Sequence, residues 1–271
     1  MSATQVVGIM LVKNEDLFIE RVLRNVLEFC DKIIVADDRS TDRTTEILKT
    51  LAAQHPKIEY HRLKTVRESH ALVASYAGTP SWVFAVDGDE IYDPAGLAGF
   101  RRGLLDGRYD AWWQVFGNVL NCTALDVPGR TAKGHLAPPC RSMTKLYNFA
   151  AIESWGGECG ERLHGGEIRF KPGYAADKRL SLHEQTDWDH SLFRCLHICF
   201  LRRSSRDPAF EGLSARMSPV DLQKGGPLDR VMRFVRRVLR RPNPSDWKLE
   251  KYTRGPEVSC EVSAFFPENE R

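Results

Sequence analysis

Nowhere in its 271 residues does the chain hold an apolar run of the roughly 18 uncharged residues that a bilayer crossing needs, which excludes a membrane-spanning helix. The opening MSATQVVGIM has no basic stretch ahead of its apolar residues, which argues against a secretory signal. Cysteine gives no disulfide framework. There are seven, an odd number, scattered as Cys30, Cys122, Cys140, Cys159, Cys195, Cys199 and Cys260, which suits reduced thiols in a cytoplasmic protein. No internal repeat and no low-complexity tract is present. Charge of one sign is scarce overall, with 39 Lys and Arg against 36 Asp and Glu. That near balance conceals an asymmetry, because residues 201–255 carry 14 Lys and Arg against 6 Asp and Glu. With 42% apolar and 28% charged residues, the composition is that of an ordinary globular chain, long enough for one large domain or two small ones.

What is present is an alternation of strand-like and helix-like runs in the first half. VVGIMLV (6–12), KIIVAD (32–37), IEYHRL (58–63) and WVFAVD (82–87) are β-branched and almost continuously apolar, as in a parallel sheet covered on both faces. Between the first two, Leu17, Val22, Leu23, Val26, Leu27 and Cys30 form one helical stripe. Thr41 and Asp42 suit the cap of a second helix carrying Ile47, Leu48 and Leu51, and a third is expected over 67–77. This order predicts an α/β fold with a doubly wound, mostly parallel central sheet and helices on both faces. The later chain is less regular. Residues 111–120 and 142–149 read as strands, and the Pro- and Gly-bearing stretch 121–141 between them as a mobile or acceptor-side loop. The expected division is a domain over 1–205, with halves 1–105 and 106–205, followed by a helical extension and tail over 206–271.

Ligands of such sheets sit beyond the carboxyl ends of the strands. Three polar clusters lie there: Lys13-Asn14-Glu15, Asp37-Asp38 and Asp87-Gly88-Asp89-Glu90. Carboxylates this close repel, the more so when partly buried, so a positive partner is expected, with a divalent metal the first candidate. A D-x-D alone is weak, since a solvated acidic turn reads the same way.

Taken together, V-K-N-E (12–15), V-A-D-D-R-S-T-D (35–42) and W-V-F-A-V-D-G-D-E (82–90) resemble the nucleotide-sugar glycosyltransferases of family 2, over about residues 5–105. The resemblance implies a GT-A fold and a metal-dependent, inverting sugar transfer from a nucleotide sugar, UDP first among the nucleosides, with Mg²⁺ or Mn²⁺ as cofactor. It implies a nucleotide-sugar site drawn from Val12, Asn14, Glu15, Asp37, Asp38, Asp87 and Gly88. Asp38, with Asp37, would face the nucleoside, Asp87 the ribose, and Asp89 the metal on the diphosphate. It further implies a late histidine on the metal, here His197, and basic residues after it on the diphosphate, here Arg202 and Arg203, arginine being built for bidentate phosphate contact. The chain departs from the family pattern at Arg39 and Arg43, where glycine is common, and at Ser69-His70, where an R-N pair is common.

The transfer needs a base beside the acceptor hydroxyl. Glu158 and Glu161 in ESWGGECGERLHGGE (153–167) are the leading candidates, Asp187 and Asp189 the outsiders, and desolvation is expected to raise the pKa of such a glutamate. Trp155 is placed on the acceptor side, against a sugar face. Two plainer readings stand beside these: an ordinary polar loop over 153–167, and a core histidine at 197. A third takes Cys195, His197 and Cys199 as zinc ligands, at a spacing that fits no common pattern.

The basic excess concentrates in LDRVMRFVRRVLRR (228–241), with Leu228, Val231, Met232, Val235, Val238 and Leu239 on one stripe and six arginines over the rest. Docking against the body, lying on an anionic membrane face, and nucleic-acid contact are the three readings. The last lacks an aromatic-interleaved basic motif. The expected partners are a nucleotide-sugar donor and a glycan, lipid-linked or small-molecule acceptor. The expected location is the cytoplasm, peripheral on the inner membrane face if the helix docks there. Two rival functions are a sugar nucleotidyltransferase, against which V-K-N-E stands where a Gly-rich G-x-G-T-R loop belongs, and a non-enzymatic membrane-docking protein on a decayed transferase fold.

Overall fold

The structure is a computed structural model that describes residues 3–142, 145–207, 249 and 251–267. The basic stretch 228–241 lies outside the described residues. The predicted strands form the centre of a seven-stranded sheet. β1 (Gln5–Val12), β2 (Lys32–Asp37), β3 (Ile58–Arg62) and β4 (Ser81–Asp87) are mutually parallel in the order β4-β1-β2-β3. The residues of β1, β2 and β4 are buried on both faces, which is why they read as unbroken apolar runs, whereas β3 on the edge is only partly covered. Register pairs Val12 with Asp37 and Leu11 with Asp87, so the ends of β1, β2 and β4 are level and their polar clusters share one edge.

The two faces are covered differently. Even-numbered residues of β1 (Val6, Met10, Val12) pack under α1 (Ile19–Val26), α2 (Thr44–Gln54) and α4 (Pro94–Leu105) in the largest core cluster. The odd-numbered Val7 and Ile9 belong to a second cluster. There the expected helix over 67–77 is only a 3₁₀ turn (Val66–Ser69) and the single-turn α3 (Ala71–Ala74). The remaining cover is a hairpin, β10 (Ile152–Glu161) against β11 (His164–Phe170), which contributes Ile152, Trp155, Cys159 and Leu163. The stretch for which an ordinary polar loop was the plainer reading therefore supplies part of a core. Its Gly content reflects bends, since Gly157, Gly165 and Gly166 have φ between +73° and +82°.

The second half builds more sheet than its sequence advertises. β6 (Gln114–Phe116) and β9 (Lys145–Asn148) join the main sheet, followed on the edge by β12 (Arg179–Ser181). The supposed mobile loop 121–141 is instead most of a hairpin, β7 (Asn118–Asp126) with β8 (Thr131–Ala137). That hairpin lies in a five-stranded sheet ordered β14-β8-β7-β13-β5, which takes β5 (Glu90–Tyr92) directly from the acidic turn and adds β13 (Arg194–His197) and β14 (Glu257–Glu261). β14 and the following Val262 and Phe265 return the end of the expected extension to the main core. The Asn25 amide fastens it there, donating to the carbonyls of Tyr92 (2.7 Å) and Phe265 (2.8 Å). α4 begins at Asp93, whose carboxylate accepts from the Gly96 amide and receives the Arg194 guanidinium at 2.9 Å.

Candidate functional site

Where β1 and β2 end, the loop after each strand holds the other. Asn14 and Arg39 sit in the left-handed region, with φ of +55° and +57°. The Asn14 amide donates to Ser40 Oγ, the Glu15 amide to Thr44 Oγ1 at 2.7 Å, and the Thr41 amide to Asn14 Oδ1 at 2.7 Å. Amides that a phosphate-cradling loop would offer are committed here to side chains. Val12 points into the core, and its carbonyl accepts from the Asp38 amide.

The two acids of β2 divide. Asp37 is fully buried and accepts from the Ser40 amide, Thr45 Oγ1 and Tyr60 Oη at 2.7, 2.7 and 2.9 Å, a set that braces the loop. Asp38 instead carries two cations at the edge, Lys13 Nζ at 2.8 Å and Arg39 Nη2 at 2.9 Å. The glycine common in the family at position 39 suits that positive φ, and the arginine here uses its side chain to cover Asp38.

The D-x-D turn resolves its crowding with arginines. Asp87 Oδ1 receives Arg162 Nη2 at 2.5 Å, and Asp89 Oδ2 is paired with Arg203, which also lies 3.5 Å from Glu15 Oε1. Both guanidiniums are buried. Desolvation opposes their charge, but Asp87 and Glu161 in one case, and Asp89 and Glu15 in the other, hold their pKa above the ordinary value. Gly88 was expected to admit a nucleotide. A Cβ there would meet Glu15 Cγ at 2.8 Å and Val12 Cγ1 at 3.2 Å, so its smallness serves the packing of the turn on the β1 loop. Glu90, fully buried, accepts from Tyr92 Oη at 2.8 Å and from the Asp87 amide at 3.2 Å, shaping the turn from within.

Across the second sheet, register aligns Glu90 with His197, His197 with Asn121, and Asn121 with His135. His197 Nδ1 donates to Asn121 Oδ1 at 2.8 Å, an amide orientation set by Asn121 Nδ2 donating to the His135 carbonyl at 3.3 Å. The other ring nitrogen, Nε2, faces Asp89 Oδ2 at 3.8 Å. Asp89 and His197 are the acid and imidazole that could hold a divalent cation here, with the Arg203 guanidinium on the same Asp89 oxygen. Among the described residues no three His, Cys, Asp or Glu converge as a self-sufficient metal site, so the zinc reading of Cys195, His197 and Cys199 is not met. Arg203, expected on the diphosphate, occupies the same corner as Asp89, whereas Arg202 donates to the carbonyls of Ser204 and Ser205.

The base candidates also separate. Glu161 stands at the hairpin end beside Asp87, its Oε1 3.2 Å from His164 Nδ1 and 3.8 Å from Arg162 Nη2. Burial pushes its carboxyl up, but the His164 hydrogen bond and the Arg162 charge outweigh that and leave it below the ordinary value, against the expected rise. Glu158 is exposed on β10, and Asp187 is bound to His190 on a different loop. Trp155 is a core residue. It is packed against His70, Trp113, Tyr147 and Phe149, with Nε1 donating to the Gly165 carbonyl at 3.0 Å, so it offers no face to an acceptor sugar. Sequence reasoning missed Arg162, Asn121 and Tyr252, whose ring lies 5.2 Å from that of His197. The R after Glu161 was visible, but nothing local tied it to a strand 75 residues earlier.

Comparison with known proteins places this geometry. Uncharacterized glycosyltransferases of Rickettsia prowazekii (strain Madrid E) and Rickettsia typhi (strain ATCC VR-144 / Wilmington) are 36% and 35% identical to the chain over 83 residues. Each match takes in 30% of this chain and 26% of the relative, so the chain spans about a quarter of the length of the curated relatives it matches. Among solved structures, the mannosyltransferase PcManGT from Pyrobaculum calidifontis in complex with GDP-Man and Mn²⁺ is 16% identical, with a TM-score of 0.39, over 67% of this chain and 57% of that one. TarS of S. aureus is 17% identical, with a TM-score of 0.35, over 55% and 29%. The profile of glycosyl transferase family 2 matches residues 9–172, more than half of the chain and inclusive of all three strand-end clusters and the β10–β11 hairpin, and the chain accordingly belongs to that family.

Proposed function

We propose that the chain transfers a sugar from a nucleoside diphosphate sugar to an acceptor hydroxyl by a single, inverting displacement assisted by Mg²⁺ or Mn²⁺. The observation that carries this reading is the facing pair Asp89 Oδ2 and His197 Nε2, 3.8 Å apart, on the edge where Asp38 and Asp87 also end. Asp89 and His197 would hold the metal, which would supply a Lewis acid to the departing diphosphate. Asp38, with Lys13 and Arg39 on it, faces the nucleoside, and Asp87 faces the ribose. Arg203 compensates Asp89 and Glu15 and adds positive charge where the diphosphate accumulates negative charge. Glu161 takes the acceptor proton as the acceptor oxygen bonds to the anomeric carbon and the diphosphate leaves. Its lowered pKa keeps it ionised across the neutral range. The acceptor is a glycan or lipid-linked hydroxyl of the kind used in cell-surface glycan or glycolipid synthesis, and the protein works in the cytoplasm with 228–241 against an anionic membrane.

UDP-, GDP- and dTDP-sugars, each with and without Mn²⁺, test the reading through thermal unfolding of the wild type and Asp89→Ala. A donor at about 100 times its Kd adds roughly 2.7 kcal/mol to the wild type by mass action. The reading requires that gain to depend on Mn²⁺ and to vanish in the variant; no shift with any donor removes it.

A further inference from the structure

Arg162 has no part in the transfer as set out above, yet it is among the most constrained residues of the molecule. Its side chain is buried, and its backbone φ of +23° lies where non-glycine residues are rare. The guanidinium grips the last two residues of β4 at once, Nη1 donating to the Val86 carbonyl at 2.8 Å and Nη2 to Asp87 Oδ1 at 2.5 Å. The backbone is held as firmly. The Arg162 amide donates to Ser69 Oγ at 2.8 Å, its carbonyl meets His70 Nδ1, and His70 Nε2 lies 3.0 Å from the Trp155 carbonyl. Ser69 and His70, the pair at which the sequence departs from the family pattern, are thus the anchor of a cation that arrives from the hairpin.

A buried charge is costly unless it is paired, and a hydrocarbon would fill this volume without that cost. What a hydrocarbon cannot do is fix the plane of a carboxylate, which a guanidinium donating both to the carboxylate and to the preceding carbonyl does. We infer that Arg162 is the positioning residue for Asp87 and that it sets recognition of the donor's ribose hydroxyls. The inference rests on the proposed role of Asp87. Arg162 touches no reacting atom; it acts through Asp87, and through Glu161 3.8 Å away it links the hairpin to the donor edge.

Calorimetric titration of UDP and its 2′,3′-dideoxy analogue, and of GDP and its analogue, in the presence of Mn²⁺ tests this with wild type, Asp87→Asn, Arg162→Met, Arg162→Lys and the double variant Arg162→Met/Asp87→Asn. A charge-assisted hydrogen bond to a hydroxyl corresponds to about tenfold or more in affinity, so the wild type should favour the ribonucleotide by that factor. Asp87→Asn and Arg162→Met should each bring the ratio close to one, Arg162→Lys should restore part of it, and the double variant should lose nothing beyond Asp87→Asn. If Arg162→Met weakens both nucleotides equally and keeps the ratio, or if the two changes add in the double variant, Arg162 is structural and the inference fails. Should Arg162→Met not fold, the double variant, which removes both buried charges, and Ser69→Ala, which loosens the anchor alone, carry the test. Ser69→Ala must then narrow the ratio, and an unchanged ratio overturns the inference. A wild type that binds neither nucleotide, or an Asp87→Asn that still discriminates, overturns the donor-site reading itself, a result distinct from failure of the Arg162 variants alone.

Discussion

At the scale of single residues, the site is organised by charge compensation. Each D-x-D acid has its own arginine, and each arginine comes from a distant part of the chain. Replacing Asp89 with Asn leaves Arg203 buried with Glu15 3.5 Å away, and the loss of a buried pair costs about 3 kcal/mol. Urea unfolding should show that loss, and Mn²⁺ should no longer shift the midpoint in the presence of donor. Glu161 gives a prediction with a sign. Its folded pKa lies below the ordinary 4.5, so its ionised form stabilises the fold at pH values above 4.5, and that contribution is lost as pH falls through the lower folded value. Glu161→Gln should remove this acid limb from the pH dependence of stability. It should also lower kcat by about 10²- to 10⁴-fold while nucleotide affinity stays unchanged. A pH profile identical to the wild type, with kcat retained, would discard Glu161 as the base. The acids themselves were legible in the sequence because they terminate apolar strands. Their partners were not, because Arg162 and Arg203 reach them across 75 and 114 residues and carry no local signal of it.

At the scale of elements, the parallel strands announced themselves by continuous apolar character, whereas the hairpins stayed hidden behind their glycines. β10–β11 carries five glycines over residues 156–166, and β8 has Gly134, so composition pointed to loops. In the fold Gly134 and Gly166 permit close approach of backbone. A Cβ on Gly134 would lie 2.2 Å from the Asn121 carbonyl oxygen and 3.0 Å from Cys122 Cα, backbone atoms of β7 that cannot swing aside. Gly134→Ala should therefore cost about 1–3 kcal/mol through overpacking. Because it pushes on the residue that holds His197 Nδ1, it should also weaken Mn²⁺ binding by about 10- to 100-fold, the usual effect of disturbing a group that orients a ligand. Gly156→Ala is the control, since nothing lies within 4 Å of its added Cβ, and it should stay within about 0.5 kcal/mol of the wild type. Equal effects of the two substitutions on Mn²⁺ affinity would break the link between β8 and the metal pair. The short α3 has the converse explanation. Residues 67–77 have helical composition, but Ser69 and His70 are drawn into hydrogen bonds with Arg162 and the hairpin, and tertiary contacts prevail over propensity there.

At the scale of the whole molecule, the basic excess concentrates in 228–241, which lies outside the described residues, so its membrane reading rests on its sequence. Described residues before and after the undescribed segment meet the proposed metal pair, Arg203 on Asp89 and Tyr252 against His197. Each arginine near an anionic surface contributes about 1 kcal/mol, and exchanging Arg233, Arg236, Arg237 and Arg240 for Ser should weaken binding by about three orders of magnitude. Flotation with phosphatidylserine-containing and purely phosphatidylcholine vesicles measures this directly. Wild type should float with the anionic vesicles alone, sink when salt shortens the screening length, and fail to float in the fourfold variant. Donor-dependent thermal stabilisation must survive in that variant, because none of the exchanged residues is assigned a role on the nucleotide. Equal recovery with both vesicle types would remove the membrane from the scheme and leave the arginines as a solvated face.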